Sequence, residues 1–254
     1  MDFEPGKKYS AGFLCEYLRI HDLSDINELL ASVKKLTVEH KQSKFIITLD
    51  NIAQATYTSM HSIARNSLDE GDWIAKENID DSLMDGDYFR DDLNFEQNFA
   101  IRRMGFKHGL LDIKFEDIFD KNLSLNHDSK IEMVEANKNL LSLMDKEVYL
   151  LKVPVTNSYE AILAFPNGYF SSDLSPFENY LFAKKLEEHY GFYLFGIGAS
   201  YLSFNKGIDF CESKIPSLVD LLIKIYSDKD DELFAEFLRE SILKQDILTL
   251  RYSE

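Results

Sequence analysis

Between residues 147 and 205, short apolar runs alternate with turn-forming residues. The apolar runs are rich in β-branched and aromatic residues, which predicts strands. Between them, Ser175 and Glu178 form a capping box with Pro176 at the first helical position, and Gly191 favours a helix end at positive φ. The predicted order is strand, strand, helix, strand and strand, at residues 147–155, 159–165, 176–190, 192–197 and 201–204.

The first part of the chain combines helical and strand patterns. Apolar residues recur at helical spacing after Ser24, which predicts a helix from that N-cap to about Lys35. The run Lys44–Leu49 predicts a strand, and Asp50 then predicts the N-cap of a second helix. The apolar side of that second helix consists of Ile52, Ala53, Ala55, Tyr57, Met60 and Ala64.

The remaining patterns complete an α+β prediction. Residues 9–20 fit either a short helix or a strand, and a capping box at Ser129 predicts a helix to about Asp145. Further strands are predicted at 110–115 and 247–252, a helical turn at 115–119, and helices from Pro216 and over 233–242, with a charged break at 227–231. The expected architecture is a small mixed or antiparallel sheet packed with amphipathic helices. Residues 1–145 and 146–254 form either two regions or one continuous domain.

Composition and charge restrict the class of protein. The 254 residues are 45% hydrophobic and carry a net charge of −16, which is typical of a folded acidic protein. No apolar run approaches the roughly 20 residues that cross a bilayer, and the N-terminus lacks the apolar core of a signal peptide. We therefore expect a cytoplasmic protein without membrane association. In that reducing compartment Cys15 and Cys211 are expected to be free thiols.

Charge is concentrated in residues 67–97, here called the acidic segment. It has two basic residues, Lys76 and Arg90, for a net charge of −9. Its acidic residues are Asp69, Glu70, Asp72, Glu77, Asp80, Asp81, Asp85, Asp87, Asp91, Asp92 and Glu96. We expect a long loop with one helical turn, holding Trp73, the single tryptophan. Such a surface repels nucleic acid and attracts a basic protein partner, although a purely solubilising role explains the same composition.

Known catalytic and metal-binding spacings are not found in the sequence. The six histidines do not pair at zinc-ligand spacing, and Leu83 occupies an oxygen-ligand position when Gly86 is aligned with a calcium loop. Gly196 and Gly198 lack the third glycine of a dinucleotide fingerprint. The sequence therefore predicts neither an enzyme nor a bound metal or cofactor. The alternative is an enzyme or small-ligand-binding module with a site near the turns at 166–174 and 196–200.

Aromatic residues crowd the segment from Phe165 to Phe204. Most of them follow strand or helix periods, which is typical of a core. Tyr169 and Phe170 instead lie in the loop before the capping box, where exposed rings serve as anchors for a partner. We therefore predict a partner-binding surface made of Trp73, Tyr169, Phe170 and the carboxylates Asp69, Glu70, Asp72, Asp80, Asp81, Asp85, Asp87, Asp91 and Asp92.

A sequence resemblance covers residues 153–204. The residues that carry it are Pro154, Ala161–Phe165, Gly168, Pro176, Glu178, Glu187 or Glu188, Tyr190–Gly191 and Leu202–Phe204. In this order they resemble an uncharacterised bacterial domain family whose members are often found beside secreted antibacterial toxins. The chain departs from the family motif at Asn167–Phe170, where the family usually has Gly-Gly before an aromatic residue. The resemblance implies a cytosolic bacterial protein of the kind found beside such toxins. Together with the acidic segment and the absence of catalytic motifs, it leads to the hypothesis of a non-enzymatic immunity protein that neutralises a cognate toxin by direct binding.

Overall fold

A computed structural model of the chain describes residues 13–226 and 231–253. The helices are α1 (Ile26–Glu39), α2 (Ile52–Arg65), α3 (Phe95–Gly109), α4 (Asp117–Asp120), α5 (His127–Lys138), α6 (Pro176–Lys185), α7 (Ile215–Ile225) and α8 (Glu232–Lys244). The strands are β1 (Glu16–His21), β2 (Lys44–Thr48), β3 (Met84–Asp85), β4 (Tyr88–Phe89), β5 (Glu147–Val153), β6 (Phe192–Ile197), β7 (Tyr201–Lys206) and β8 (Ile247–Arg251). A π-helical turn, Leu186–Tyr190, follows α6.

Six of the strands form one mixed sheet. Their order is β1-β5-β2-β6-β7-β8, while β3 and β4 form a separate hairpin. Strands β2 and β6 are parallel, with Ile47 opposite Gly196, and the other neighbours in the sheet are antiparallel. The predicted α+β class is thus confirmed.

The centre of the sheet is covered on both faces. Four consecutive residues of β2, Phe45–Thr48, are buried, although successive side chains of a strand point to opposite faces. Helix α1 packs on β2, α6 on β6 and α5 on β8. Strands from before and after residue 146 therefore share one sheet and one hydrophobic core.

The capping box at Ser175 starts α6 as predicted. The Ser175 hydroxyl accepts from the Glu178 N–H at 3.3 Å, and the Glu178 carboxylate accepts from the Ser175 N–H at 2.7 Å. Gly191 ends the helical segment at φ 72°, in the left-handed region. The strands predicted at 147–155, 192–197 and 201–204 are confirmed as β5, β6 and β7, with small shifts of their ends.

The strand predicted at 159–165 is wrong. Ser158–Ala164 forms a 3₁₀ helix instead, with the Glu160 carboxylate accepting from the Asn157 N–H at 3.0 Å. Glu187, after α6, accepts from both the N–H and the hydroxyl of Ser158, at 2.9 and 2.5 Å. A carboxylate at the start of the turn satisfies free N–H groups there, so a β-prone run adopts helical geometry.

Three predicted N-caps are displaced. Asp25 caps α1 in place of Ser24, and Asn51 caps α2 in place of Asp50, by accepting from the Gln54 N–H at 3.1 Å. Asn126 caps α5, so that Ser129 lies inside the helix as a donor to that cap, and the helix ends at Lys138 rather than near Asp145. In each case an Asp or Asn within three residues of the predicted cap, a residue type equally suited to capping, occupies the position.

Helix α3 was not predicted from apolar periodicity. Its start carries a capping box, since Asn94 accepts from the Gln97 N–H and Gln97 accepts from the Asn94 N–H, both at 2.9 Å. That Asn-x-x-Gln spacing is the signal in the sequence that identifies the helix. The strand predicted at 110–115 is wrong, because the chain turns there after α3.

The remaining elements follow the predictions closely. Residues 16–21, in the stretch left open between helix and strand, form β1, while residues 9–12 lie outside the described residues. Helices α7 and α8 and strand β8 lie where they were expected; residues 227–230 of the charged break are also outside the described ranges. Cys15 is buried and Cys211 is exposed, and both are free thiols. No helix among the described residues is long and apolar enough to cross a membrane.

Candidate functional site

The base of the acidic segment is built around Trp73. This side chain is only 3% exposed, and its indole N–H donates to the Ser67 carbonyl at 2.8 Å. The prediction that Trp73 serves as an exposed anchor for a partner is therefore wrong. A large ring whose N–H has a partner inside the protein is more stable buried, and here it holds the segment on the fold.

Helix α3 fixes the same base from the other side. A Cβ on Gly105 would lie 2.1 Å from the Leu68 carbonyl oxygen and 3.0 Å from the Trp73 ring, so only glycine allows this close approach. Beside it, the buried Arg102 guanidinium forms a bidentate ion pair with Asp69 and donates to the Leu163 carbonyl at 3.1 Å. Asp69, predicted as a partner-binding residue, is thus largely occupied inside the molecule.

The outer part of the segment is ordered into short elements rather than one long loop. It contains two 3₁₀ turns, Ile74–Lys76 and Asp81–Leu83, and the β3–β4 hairpin, whose turn passes through Gly86 at φ 65°. Ten of its eleven acidic side chains are exposed, and Asp69 is the exception. The predicted carboxylate surface therefore lies on a folded support.

Most of these exposed carboxylates form no ion pair in the part of the chain that the structure describes. Asp92 is paired with Arg90 at 2.7 Å, and this hydrogen-bonded partner lowers the pKa of the Asp92 carboxyl. Asp80 accepts from the Ser82 N–H at 2.8 Å, which lowers its pKa in the same way. The remaining exposed acids, Glu70, Asp72, Glu77, Asp81, Asp85, Asp87, Asp91 and Glu96, form no ion pair within residues 13–226 and 231–253.

Two adjoining clefts flank the base of the segment. One has a volume of about 370 Å³ and is lined by Asp69, Glu70, Asp85, Tyr88, Phe89, Arg90 and Asp91. The other, about 480 Å³, lies against α2 and is lined by Met60, Ile63, Ala64, Ser67, Asp69, Glu70 and Arg102. Because Asp69 and Glu70 line both clefts, the acidic surface continues onto the outer face of α2.

Tyr169 and Phe170 lie next to that helix. Phe170 is 50% exposed and Tyr169 is partly buried, with their ring centroids 5.3 Å apart. The Arg65 guanidinium of α2 donates to the Tyr169 carbonyl at 2.8 Å, and the His61 ring lies 5.1 Å from the Tyr169 ring. The structure thus places this predicted aromatic pair beside α2, and α2 separates it from the acidic segment.

The turns at 166–174 and 196–200 both contact Tyr252, the residue after β8. Its hydroxyl donates to the Gly198 and Ala199 carbonyls, each at 2.8 Å, and its carbonyl accepts from the Leu174 N–H at 2.9 Å. These backbone groups are therefore engaged within the fold. In the described ranges, no group of three or more His, Cys, Asp or Glu side chains is arranged to hold a metal ion.

Asp50 lies beside the second of these turns. One of its carboxylate oxygens accepts from the Ser200 N–H at 3.0 Å, and the other is buried without a hydrogen-bond partner. Burial raises the pKa of this carboxyl to about 6, even though hydrogen bonds and the nearby Arg251 oppose the shift.

Comparisons with protein-family models, with curated proteins and with solved structures give no match to this chain.

Proposed function

We propose that this chain is a non-enzymatic binding protein whose acidic segment receives a basic protein partner. The observation that carries the proposal is the set of ten exposed carboxylates on a base fixed by Trp73 and by the Arg102–Asp69 ion pair. A rigid acidic surface is pre-organised, so binding does not require ordering a loop, and its unpaired charges attract basic residues. A charge that served solubility alone would not need this support.

The partner that fits best is a toxin neutralised by direct contact. The resemblance of residues 153–204 to a family found beside antibacterial toxins supports this identity. Many toxins that act on nucleic acid need a basic surface for their substrate, and an acidic protein competes for that same surface. The proposed immunity protein would therefore block its toxin through charge complementarity, with apolar contacts supplying most of the affinity.

The test is capture of the partner and protection from it. We expect the immobilised protein to retain a basic protein from the native strain, and co-expression with that protein to restore growth of a sensitive host. Reversal of Asp81, Asp85, Asp87 and Asp91 to Lys should strongly reduce capture and protection. These four side chains are exposed and make no ion pair within the described ranges, so the fold should tolerate the change.

A matched variant controls for net charge. It also reverses four exposed carboxylates to Lys, but all of them lie outside the acidic segment: Asp112, Glu116, Asp220 and Asp246. This control should keep both capture and protection. If the two variants behave alike, the acidic segment serves solubility and the proposed function is wrong.

A further inference from the structure

Helix α2 has small residues on its buried side, while two of its large apolar residues, Tyr57 and Met60, are exposed. The buried side is formed by Ala55, Thr58, Ser59 and Ser62. Tyr57 is 49% exposed and Met60 is 52% exposed, on the side predicted from the sequence to be the apolar one. A helix that only covered the core would have the opposite arrangement, because burying large apolar side chains stabilises the fold.

The inner side of α2 is small because a loop packs closely against it. The Thr58 hydroxyl is hydrogen-bonded to the Asn167 side chain, and the Ser62 hydroxyl to the Gly168 carbonyl at 3.5 Å. Gly168 itself has φ 104° and lies so near the Leu174 carbonyl that a Cβ would come within 1.8 Å of it. This close packing accounts for the small residues inside, but it does not account for Tyr57 and Met60 outside.

Of these two outward residues, Met60 lines the larger cleft, whereas Tyr57 packs against the His61 ring at 4.3 Å between ring centroids. Met60, Ile63 and Ala64 line the cleft on the α2 side, and Glu70 lines it on the side of the acidic segment. Its volume of about 480 Å³ is within the range of about 300–1,000 Å³ usual for ligand-binding pockets. Because Arg102 neutralises Asp69, Glu70 is the carboxylate in this cleft that is left to attract a cation.

We propose that this cleft, here called the α2 groove, is the site where the partner inserts an amphipathic basic segment. Aliphatic or aromatic side chains would pack between Met60, Ile63 and Ala64, while Lys or Arg residues would lie against Glu70 and, in the adjoining cleft, Asp85 and Asp91. The inference rests on the proposed function and specifies its contact surface. It also replaces Trp73 as the source of apolar affinity.

Charge selects this occupant over a second copy of the chain. A symmetric dimer across the groove would bring Glu70, Asp85 and Asp91 near their own equivalents on a molecule with a net charge of −16. An uncharged apolar segment would leave the Glu70 carboxylate desolvated and unpaired. A basic segment without apolar residues would leave Met60 and Ile63 uncovered. Only a segment with both properties satisfies both walls.

The test uses a synthetic basic peptide as the probe. A helical Lys/Leu peptide of about fourteen residues, the length of α2, is compared with a scrambled peptide of the same composition that has no apolar face. The full-length protein is labelled with ¹³C at the methionine methyl groups. We expect the Met60 signal to shift on addition of the amphipathic peptide, while the fully buried Met133 signal stays in place.

Two substitutions with matched controls locate the contact. Met60→Glu should weaken binding of the amphipathic peptide about tenfold or more, whereas Leu233→Glu, at a position on α8 that is 85% exposed, should not. Glu70→Gln should weaken binding more than Glu77→Gln, because Glu77 lines neither cleft. All four variants alter exposed side chains and should fold normally.

The outcomes separate the groove from the proposed function. If both peptides bind equally and Met60→Glu changes nothing, the surface attracts basic chains but the groove is not the contact, and this inference fails alone. If the amphipathic peptide does not bind, the inference fails as well. The proposed function is judged independently by capture and protection with the charge-reversal variants. Binding that needs Met60 and Glu70 and prefers the amphipathic peptide supports the inference.

Discussion

At the scale of single residues, a few buried side chains determine what the surface can do. Trp73 is almost fully buried, yet it positions the carboxylates around it by packing against Gly105 and the turn at Ser67. Asp50 is a buried carboxyl with one unpartnered oxygen, held at the end of β2 by the turn after β6. Substitutions at both residues are therefore expected to change stability rather than binding.

Replacing Trp73 by Ala should lower the free energy of unfolding by about 3–5 kcal/mol, because it leaves a cavity and removes the hydrogen bond to Ser67. Urea denaturation measures the change. Tyr88→Ala, which alters a 66% exposed ring in the same segment, is the control and should cost less than about 1 kcal/mol. Equal small losses for both variants would contradict the role assigned to Trp73.

Asp50 should make the protein less stable as the pH rises. Its folded pKa of about 6 exceeds the unfolded value of 3.8, so the folded state binds more protons between these pH values and loses stability through that window. Relative to Asp50→Asn, the wild-type protein should lose at most about 3 kcal/mol between pH 4 and pH 7. Denaturation curves at several pH values measure this difference. Asp220→Asn, at an exposed position, should follow the wild-type pH dependence.

At the scale of elements, contacts between distant parts of the chain place the site. Helix α3 carries Gly105 and Arg102 to the base of the acidic segment, and the 3₁₀ helix at Ser158–Ala164 supplies the Leu163 carbonyl that Arg102 also contacts. Neither element was identified by apolar periodicity. Contacts among three separate regions of the sequence therefore support the acidic segment.

The Arg102–Asp69 ion pair should be the main link between α3 and the acidic segment. Arg102→Met leaves the Asp69 carboxylate without its partner and should cost about 3 kcal/mol, as measured by urea denaturation. Arg103→Met is the control, since that neighbouring guanidinium is exposed and should contribute less than about 1 kcal/mol. The double variant Arg102→Met, Asp69→Leu should recover part of the loss, and a purely additive result would contradict the coupling.

At the scale of the whole molecule, a negatively charged surface lies beside an apolar face of α2. The acidic segment contributes a net charge of −9 to the total of −16, and the α2 groove adjoins it through Asp69 and Glu70. Charges act at long range and mainly affect the association rate constant. Apolar contacts form only in the complex and mainly affect the dissociation rate constant. The two surfaces should therefore affect different rate constants.

Association with the captured partner should slow as salt rises, because exposed charges are screened over about 8 Å at physiological ionic strength. Reversing the four carboxylates to Lys should reduce the association rate constant and its dependence on salt; the residues are Asp81, Asp85, Asp87 and Asp91. Met60→Glu should mainly raise the dissociation rate constant. Surface plasmon resonance at several salt concentrations measures both. Association of the wild-type protein that does not change with salt would contradict electrostatic steering.

The sequence by itself determined the features that depend on neighbouring residues. The capping box at Ser175, the helix end at Gly191, the acidic segment and the strands predicted at 44–49, 147–155, 192–197 and 201–204 follow from short-range rules of hydrogen bonding, backbone conformation and charge. They were sufficient for the α+β class. These short-range rules do not decide between two adjacent residues that cap equally well, such as Asp50 and Asn51.

Only the tertiary structure decided the features that depend on distant contacts. Glu187 turns the β-prone run 158–164 into a 3₁₀ helix, and the loop at Asn167–Gly168 directs the small side of α2 inward. Trp73 is buried because Gly105, far along the chain, leaves room for its ring. In each case the energy of packing and of satisfying buried polar groups exceeds the local preference of the sequence, and the partner that tips the balance is not adjacent in the chain.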